Sequence, residues 1–322
     1  MKGLILCAGK GSRLYPFTRS YPKSLLPVAN APLLHACIDK LVEQQITEIG
    51  IVIHPSQETL IRASLAHAKR WDAKFEYIYQ HEPKGIANAV LLAQTFIGSH
   101  SFIMLLGDNL MSISLTELRK RAEAEGNHAT LLLGEVDAPQ DYGIAEVENN
   151  RIIRLEEKPQ APKSNLAVLG AYVFTPVLFD AARGIKASAR GEYEITDAIQ
   201  WLIERGYQVS YAIAEKPNID VGTVPRWLEA NRLTLHEKGT NEIHPSVIIE
   251  NCIFVEPVSI AEGAILKDCT IGPYVSIGAG SFLEGCHLEN CIVLEQVHLK
   301  QLPQTVEHTV LGQGSVISGV RA

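Results

Sequence analysis

Residues 3–13 read Gly-Leu-Ile-Leu-Cys-Ala-Gly-Lys-Gly-Ser-Arg. Gly3–Cys7 is a short apolar run of the kind that forms a buried parallel strand. It leads directly into a glycine-containing loop, where backbone N–H groups can line an anion site. Lys10, Arg13 and Lys23 add three cations in and soon after this loop. This order predicts a phosphate-binding loop at the end of a strand.

Two common phosphate-binding motifs do not account for this loop. The P-loop pattern Gly-x-x-x-x-Gly-Lys-Ser/Thr is absent, and Leu14 occupies the third glycine position of the dinucleotide pattern Gly-x-Gly-x-x-Gly. On these residues alone, the alternative is an ordinary turn between a strand and a helix, with charges on its surface.

The composition is that of a soluble globular protein, with 46% hydrophobic and 20% charged residues among 322. The net charge of −7 disfavours non-specific nucleic-acid binding, so local cations and magnesium must hold a phosphate ligand. The chain starts with a core strand and has no 18-residue apolar run, from which we expect a cytoplasmic protein that does not bind membranes. Its six cysteines include no Cys-x-x-Cys pair and do not form a disulfide framework.

Up to about residue 236, strand-like runs alternate with helix-like stretches, which predicts an α/β layered sheet. Such sheets bind ligands at the carboxyl ends of their strands. The further predicted strands are Ile49–Ile53, Phe75–Tyr79, Phe102–Leu106, Ala129–Glu135 and Gly170–Phe174, and the predicted helices are Leu33–Gln45, Glu58–Ala68, Gly85–Thr95, Leu115–Glu125 and Ile195–Arg205.

From about residue 243 a regular sequence repeat replaces this alternation. Residues 252–268 align with residues 269–285, so that Val258-Ser259-Ile260 falls on Val275-Ser276-Ile277. Apolar residues step by six within each repeat, which is typical of a three-sided parallel β-helix in which every coil lacks one residue at the same corner. In this register Ile260, Ile277 and Leu294 should form one interior column. The alternative is a small β-sandwich in which the similarity between residues 252–268 and 269–285 is accidental.

Cysteines recur once in each repeat, at 252, 269 and 286. We interpret them as small buried residues at one corner of the β-helix rather than as disulfide or metal ligands.

Two carboxylates follow apolar runs and are candidate metal ligands. Asp108 follows Phe102-Ile-Met-Leu-Leu-Gly, and Asp220 lies in Asn218-Ile-Asp-Val-Gly-Thr. Magnesium takes one or two carboxylates and keeps positions open for phosphate oxygens. An aspartate before glycine is also a common turn residue or helix cap, which is the alternative for each.

The string Gly-x-Gly-Ser-Arg-Leu-x-Pro-x-Thr at 9–18, followed by Pro-Lys-Ser-Leu-Leu-Pro-Val at 22–28, closely resembles the signature of sugar-1-phosphate nucleotidyltransferases. Among these enzymes, the chain resembles the longer glucose-1-phosphate thymidylyltransferases. The resemblance implies a Rossmann-like nucleotidyltransferase sheet in residues 1–236 and a left-handed β-helix of hexapeptide repeats in residues 243–322. It implies Mg²⁺ as cofactor, a nucleoside triphosphate and a sugar 1-phosphate as substrates, and a homo-oligomer.

The resemblance also assigns residues to roles. Arg13, Lys23, Asp108, Lys158 and Asp220 would be catalytic, with Asp108 and Asp220 as the magnesium ligands. The implied nucleotide-binding residues are Ala8, Gly9, Gly11, Ser12, Arg13, Lys23, Gln80, Gly85 and Asp108, and the implied sugar-phosphate-binding residues are Tyr142, Gly143, Glu157, Lys158, Val168, Tyr172 and Arg190.

Simple chemistry supports several of these assignments. A primary amide at Gln80 can satisfy both the donor and the acceptor edge of thymine or uracil. A carboxylate at Glu157 can accept hydrogen bonds from two sugar hydroxyls, while Lys158 neutralises a phosphate. The family often has an aromatic residue at the position of Asn218, so the resemblance bears more on the reaction than on the sugar.

Two further functions stay open at this point. A regulatory subunit of the same shape should lack cations or carboxylates of the site, yet Arg13, Lys23 and Asp108 are present. An acyltransferase β-helix needs a catalytic histidine, and His287 and His298 lie in no recognisable motif. The sequence leaves dTTP and UTP undistinguished, because both bases show Gln80 the same edge.

Overall fold

The computed structural model describes residues 1–19, 21–66, 70–111, 114–124, 126–215 and 218–319. Three predicted features lie outside the described residues: the C-terminal residues Ala68 and Glu125 of two predicted helices, and residues 320–322 of the predicted second domain. Spatial contacts divide the chain into unit 1, made of residues 1–10, 21–24 and 34–218, and unit 2, made of residues 11–20, 25–33 and 219–322. The boundary that the sequence suggests, between residues 236 and 243, stays a prediction.

Among the described residues, the first 13 strands and the eight α-helices alternate over much of the chain, as the sequence predicts, although the four strands between residues 127 and 174 follow one another without an α-helix between them. The strands are β1 Lys2–Leu6, β2 Pro27–Val28, β3 Ala31–Pro32, β4 Glu48–Ile53, β5 Lys74–Tyr79, β6 Phe102–Leu106, β7 Asn109–Met111, β8 Asn127–Glu135, β9 Gly143–Glu148, β10 Arg151–Glu157, β11 Leu166–Phe174, β12 Gln208–Ile213 and β13 Asn218–Asp220. The helices are α1 Leu33–Glu43, α2 Glu58–Ser64, α3 Ile86–Leu92, α4 Gln94–Ile97, α5 Thr116–Ala122, α6 Leu178–Gly184, α7 Ile195–Glu204 and α8 Val224–Lys238.

Unit 1 contains a nine-stranded mixed sheet in the order β5-β4-β1-β6-β11-β8-β12-β10-β9. The apolar run at the start of the chain forms β1, which pairs in parallel with β4 on one side and with β6 on the other. Leu4 and Ile5 are fully buried, as expected for a strand with both faces covered. The carboxyl ends of β1, β4, β5 and β6 therefore lie along one edge of the sheet.

All six predicted strands of this sheet are confirmed, with ends that differ by up to four residues. The predicted helix Gly85–Thr95 is instead α3 followed by α4, because the regular helix ends at Leu92. The sequence analysis did not predict β9, β10 or β12, whose residues are polar on one side and lack a continuous apolar run. Strand β11 is antiparallel to β6, so the sheet is mixed rather than purely parallel.

Unit 2 joins the β2–β3 hairpin, α8 and the C-terminal strands through buried polar contacts. Trp227 of α8 donates from Nε1 to the carbonyl of Pro27 at 2.7 Å. The fully buried Asn231 accepts through Oδ1 from the Ala29 N–H at 2.8 Å and from the Ser276 hydroxyl at 2.9 Å. Because a buried amide without partners is costly, these bonds fix the hairpin against α8 and the adjacent strands.

The C-terminal part of unit 2 consists of short strands in three parallel sheets, as in a left-handed β-helix. The first sheet contains β14 Glu242–Ile243, β17 Val258–Ile260, β20 Val275–Ile277, β23 Ile292–Val293 and β26 Val310–Leu311. The second contains β15 Ile248–Glu250, β18 Ile265–Lys267, β21 Phe282–Glu284, β24 His298–Lys300 and β27 Val316–Ser318. The third contains β16 Ile253–Phe254, β19 Thr270–Ile271, β22 His287–Glu289 and β25 Val306–Glu307.

The predicted register is confirmed between the coils that carry the aligned repeats. Val258, Ser259 and Ile260 pair with Val275, Ser276 and Ile277. The predicted place of Leu294 in the interior column is wrong, because Ile277 pairs with Val293. The chain reaches the next strand of the first sheet one residue earlier at that corner, which leaves Leu294 outside the column.

The recurring cysteines lie at one corner, as predicted, where Cys269 and Cys286 are buried but Cys252 is only partly buried. The thiols of Cys252, Cys269 and Cys286 each donate to the carbonyl two residues earlier. The residue before each cysteine (Asn251, Asp268 and Gly285) has a positive φ, so the corner repeats the same backbone turn. A small side chain that donates back to its own turn occupies this place in these three coils, and Leu302 occupies it in the next coil.

None of the helices that the structure describes has both the length and the apolar character needed to cross a lipid bilayer.

The β-helix core predicts a sharp difference between two isoleucines. Ile277 is fully buried, whereas Ile253 is 65% exposed on the outside of the same β-helix. We expect Ile277→Asp to lower the free energy of unfolding by on the order of 4 kcal/mol, because it buries an unpaired charge. The measurement is urea unfolding followed by circular dichroism.

Ile253→Asp is the matched control and should change the unfolding midpoint little. Equal effects of the two substitutions would show that the interior column is assigned to the wrong residues.

Candidate active site

The loops after β1 and β6 are held together at the edge of the sheet. The Gly107 N–H donates to the Leu6 carbonyl at 2.9 Å, and the Cys7 N–H donates to the Val52 carbonyl at 2.7 Å. A Cβ at Gly107 would lie 2.5 Å from the Cys7 sulfur, so only glycine permits this approach. Burial raises the pKa of the Cys7 thiol to about 12, which keeps it neutral. Asp108 follows Gly107 and projects from this packed turn.

Asp108 and Lys23 form the closest ion pair at this edge. The Lys23 ammonium lies 2.5 Å from Oδ2 of Asp108, and the lysine side chain is only 9% exposed. A buried ammonium is costly without a counterion, so Asp108 is what allows a lysine at this position. The pair brings together one predicted metal ligand and one predicted triphosphate-binding cation.

A cleft of about 300 Å³ lies beside these loops, and we call it the sheet-edge cleft. It contains eight of the residues that the sequence assigned to the site. Its lining consists of Leu6, Ala8, Gly9, Gln80, Pro83, Gly85, Ile86, Ala89, Leu106, Asp108, Glu157, Lys158, Arg190, Glu192 and Glu194. Four parts of unit 1 contribute: the ends of β1, β5 and β6, the segment that leads into α3 together with its first turn, the end of β10, and the segment before α7.

Arg190 connects two carboxylates in this cleft. Its Nη2 donates to Oε1 of Glu157 at 3.0 Å and to Oε1 of Glu194 at 2.9 Å. Thr196 donates to the other oxygen of Glu157 at 3.1 Å, and Ser188 donates to Glu194 at 2.7 Å. The network holds the guanidinium and both carboxylates in fixed positions, which is the geometry needed to position a polar substrate.

Burial raises the pKa of Glu157, and the nearby Glu194 carboxylate raises it further. Arg190, Lys158 and the hydrogen bond from Thr196 act in the opposite direction. The ionised form of Glu157 therefore depends on its cationic neighbours for stabilisation.

Lys158 has an unusual backbone conformation for a lysine. Its φ is +45°, and its N–H donates to the Tyr142 carbonyl at 2.9 Å. A positive φ costs energy for any residue that has a Cβ, and such strained residues often occur at functional sites. Gly143 pairs with Glu157 across β9 and β10, and a Cβ there would lie 2.6 Å from the Thr196 methyl group. The segments 142–143 and 157–158 are thus locked together.

Val168 and Tyr172 are both buried in β11 and are not among the cleft residues that the structure describes. Burial raises the pKa of Tyr172 above its ordinary value, so its hydroxyl stays protonated. Their predicted contact with the sugar stays a prediction. Asn218, at the position where the family often has an aromatic residue, donates through its amide to the Leu169 carbonyl of β11.

Gln80 lies at the end of β5 with its side chain buried. Its Nε2 donates to Oδ1 of Asn88 at 3.0 Å and to the Gly85 carbonyl at 3.3 Å. Gly85 has φ +96° and precedes α3, and a Cβ there would lie 2.5 Å from the Tyr193 carbonyl oxygen. The amide is therefore oriented by the start of α3.

Arg13 and Asp220 form a second ion pair, within unit 2. Nη2 of Arg13 lies 3.9 Å from Oδ2 of Asp220. A Cβ on Gly222 would lie 2.9 Å from that guanidinium nitrogen, so the glycine leaves room for the pair. Gly11 has φ +63° and precedes the 3₁₀ turn Ser12–Leu14, and Thr18 donates to its carbonyl at 2.7 Å. These contacts fix the turn that carries Ser12 and Arg13.

The sequence analysis missed four polar residues that support the cleft: Asn88, Ser188, Glu194 and Thr196. Glu194 and Thr196 are buried polar residues at the start of α7, inside the string Arg-Gly-Glu-Tyr-Glu-Ile-Thr-Asp from which only Arg190 was selected. A glutamate and a threonine placed directly before and within the first apolar turn of a helix could have indicated them.

Each of the two predicted metal ligands has the donor chemistry that magnesium prefers. Asp108 and Asp220 supply hard carboxylate oxygens, and each carboxylate is about one-third exposed and already faces a cation. Within the residues that the structure describes, no three His, Cys, Asp or Glu side chains gather in a metal-binding cluster. A site with one or two carboxylates is the kind that leaves positions for phosphate oxygens.

The sequence matches the family model described as nucleotidyl transferase over residues 2–237. It is 41% identical over 240 residues to the low-salt glycan biosynthesis nucleotidyltransferase Agl11 of Haloferax volcanii, which covers 74% of this chain and 67% of that protein. It is 35% identical over 329 residues to a glucose-1-phosphate thymidylyltransferase of Streptomyces griseus, which covers 100% of this chain and 90% of the relative.

Solved structures agree with this similarity. A Bacillus anthracis protein described as a candidate glucose-1-phosphate thymidylyltransferase, crystallised in complex with a sucrose, superposes with a TM-score of 0.68 at 36% identity. The superposition covers 72% of this chain and 94% of that one.

Two glycines of the cleft should respond differently to alanine. Gly85→Ala forces a positive φ and a backbone clash, and we expect it to lower the free energy of unfolding by at least about 2 kcal/mol. Gly9→Ala meets no atom within 4 Å and should leave stability unchanged. Thermal unfolding of both variants measures the difference, and a Gly85→Ala protein as stable as Gly9→Ala would contradict the described start of α3.

Proposed function

Since the chain belongs to the nucleotidyl transferase family, we propose that it transfers a nucleotidyl group from dTTP to glucose 1-phosphate with the help of Mg²⁺. The products are a nucleotide sugar and pyrophosphate. The observation that supports this function best is the sheet-edge cleft, where the start of the glycine loop, Asp108, Lys158 and Arg190 line the same space.

The reaction needs positioning and charge neutralisation rather than a proton-transfer residue. An oxygen of the sugar phosphate attacks the α-phosphorus of the triphosphate in line, and the bond from that phosphorus to pyrophosphate breaks. The attacking phosphate is already ionised, so no general base is required. Fixed cations near the developing charge lower the barrier without reorganising.

The proposed nucleotide side comprises the glycine loop and its cations. Backbone groups of Ala8, Gly9, Gly11 and Ser12 bind phosphate oxygens, and Arg13 and Lys23 neutralise the triphosphate and the departing pyrophosphate. Lys23 is held by Asp108 at 2.5 Å, so this cation is already positioned at the edge of the cleft.

Asp108 and Asp220 are the proposed magnesium ligands. The chemistry that a bound magnesium ion supplies is neutralisation of charge on phosphate oxygens. Both carboxylates face cationic side chains, which shows that each can stabilise positive charge where it lies.

The proposed acceptor side comprises Tyr142, Gly143, Glu157, Lys158, Val168, Tyr172 and Arg190. Glu157 accepts hydrogen bonds from sugar hydroxyls, in exchange for its contacts with Arg190 and Thr196. Lys158 and Arg190 are exposed cations at the cleft and bind the sugar phosphate.

Gln80 and Gly85 are proposed to bind the base. Asn88 and the Gly85 carbonyl engage both N–H donors of the buried Gln80 amide, which leaves Oε1 to accept from the ring N–H that thymine and uracil share. The alternative substrates are UTP and another hexose 1-phosphate. The similarity to a nucleotidyltransferase of low-salt glycan biosynthesis favours testing other sugars, as does Asn218 in place of an aromatic residue.

We also propose that the protein works in the cytoplasm as a homo-oligomer. The apolar side chains left exposed on the β-helix, among them Ile248 and Val316, support self-association.

A matrix of nucleoside triphosphates and sugar 1-phosphates, assayed by pyrophosphate release, tests the proposal. We expect turnover with glucose 1-phosphate and either dTTP or UTP, and none without a divalent cation. Absence of pyrophosphate release with every pair would overturn the proposed function, and acetyl transfer from acetyl-CoA would point to the acyltransferase alternative.

The proposed metal ligands can be tested by removing one charge at a time. Asp108→Asn and Asp220→Asn should each reduce turnover at least about 100-fold, roughly 3 kcal/mol of transition-state stabilisation. Asp72→Asn, an exposed residue just before β5, is the control and should keep normal turnover. If either substitution left turnover near normal at low magnesium concentration, the substituted aspartate would not be a magnesium ligand.

Lys158 should act on the acceptor. Lys158→Ala should raise the KM for the sugar 1-phosphate strongly while nucleotide affinity, measured calorimetrically without sugar, stays nearly constant. The exposed Lys163, which faces Glu146, supplies the control Lys163→Ala. A parallel loss of nucleotide affinity would count against the assignment.

A further inference from the structure

The three faces of the β-helix differ in what lies on them. The first sheet is covered within unit 2, where Asn30 donates to the Ser259 and Ile277 carbonyls and Asn231 accepts from Ser276. In the second sheet, of β15, β18, β21, β24 and β27, the middle residue is buried in the three inner strands and exposed in the two end strands, and the residues on either side of it face outward. We call its outer side the ladder face.

One outward column of the ladder face is largely apolar. It runs in register through Ile248, Ile265, Phe282, His298 and Val316. Ile248 and Val316, at its ends, are 50% and 74% exposed, and Phe282 packs against the His298 ring with centroids 6.0 Å apart. A continuous apolar column on one face is typical of a surface that binds another protein.

The other outward column alternates in charge. It runs in register through Glu250, Lys267, Glu284 and Lys300. Lys267 lies 2.9 Å from Glu250, and Lys300 lies 3.9 Å from Glu284. The charges along the column are therefore minus, plus, minus, plus. When the order of the column is reversed, every position carries the opposite charge.

This order makes the column complementary to itself in one orientation only. If a second column is turned antiparallel about the midpoint between Lys267 and Glu284, every charge meets an opposite charge. If it is laid parallel in the same register, every charge meets its own sign. Like charges that face each other in an interface cost several kcal/mol, so the pattern selects the antiparallel arrangement.

We propose that the ladder face binds the ladder face of a second copy of this chain about a two-fold axis. Lys267 then pairs with the partner's Glu284, and Glu250 pairs with the partner's Lys300. The same rotation brings Ile265 against the partner's Phe282 at the centre. An isologous contact of this kind uses one patch twice and closes on itself, so it forms a dimer rather than a fibre.

The size of the face sets the strength of the contact. Five strands about 4.8 Å apart span about 19 Å, and each strand is only three residues long. Such an area is smaller than that of a permanent interface, so the dimer should dissociate on dilution.

A matched pair of isoleucines tests the apolar column in the full-length protein. By analytical ultracentrifugation, we expect Ile265→Ser to raise the dissociation constant of this dimer about tenfold or more, because the two-fold axis places the change in the interface twice. Ile253→Ser, on the third sheet, should leave it unchanged. Equal effects, or no effect of Ile265→Ser, would overturn the proposal. Turnover should stay at the wild-type level in both variants.

Charge reversal tests the orientation. The fourfold variant with Glu250→Lys, Lys267→Glu, Glu284→Lys and Lys300→Glu keeps the alternation with every sign exchanged. We expect it to dimerise as wild type does, but to form no mixed dimers with wild type through this face. Mixed dimers in place of self-association would show a parallel arrangement and overturn the proposal.

Lys267→Glu alone should weaken the dimer, since it places two acidic groups opposite each other. An unchanged dissociation constant for this variant would show that the ladder face is not the interface. The proposed function does not depend on this result, because all these variants lie outside the residues assigned to substrates.

Discussion

The parallel pairing of β1 with β4 and β6 is the constraint on which the site depends. It fixes the ends of three strands along one edge, and the Gly107 N–H bond to the Leu6 carbonyl then sets the spacing of two loops. Asp108 and the start of the glycine loop owe their positions to this pairing. These residues lie far apart in the sequence, and the strand pairing is what brings them close together in space.

Charge pairing is the second organising principle. Opposite charges are paired at the cleft and beside it: Lys23 with Asp108, and Arg190 with Glu157 and Glu194. These pairs keep partly buried charges in place, and each offers a partner that a charged substrate can displace. The energy of binding thus includes the exchange of one ion pair for another.

The sequence was sufficient for features that depend on local patterns. The apolar runs predicted the central strands, and the repeat predicted the pairing of Ile260 with Ile277. The sequence was not sufficient where three-dimensional context decides. Val293, not Leu294, follows Ile277 in the interior column because one corner of the β-helix is a residue shorter. Strands β9 and β10 were not predicted because each has a polar face. Glu194 and Thr196 were missed because they contact Arg190 and Glu157 rather than a substrate, so their one sequence signal is their place at the start of an apolar helix.

The division of the chain has a consequence for protein engineering. The polypeptide passes from one unit to the other five times, after Lys10, Ser20, Ser24, Leu33 and Asn218. The turn that carries Arg13 therefore belongs to the unit whose bulk comes from the C-terminal third of the chain. Swapping or deleting the C-terminal part would remove the packing partners of that turn, so the two ends of this gene are not interchangeable modules.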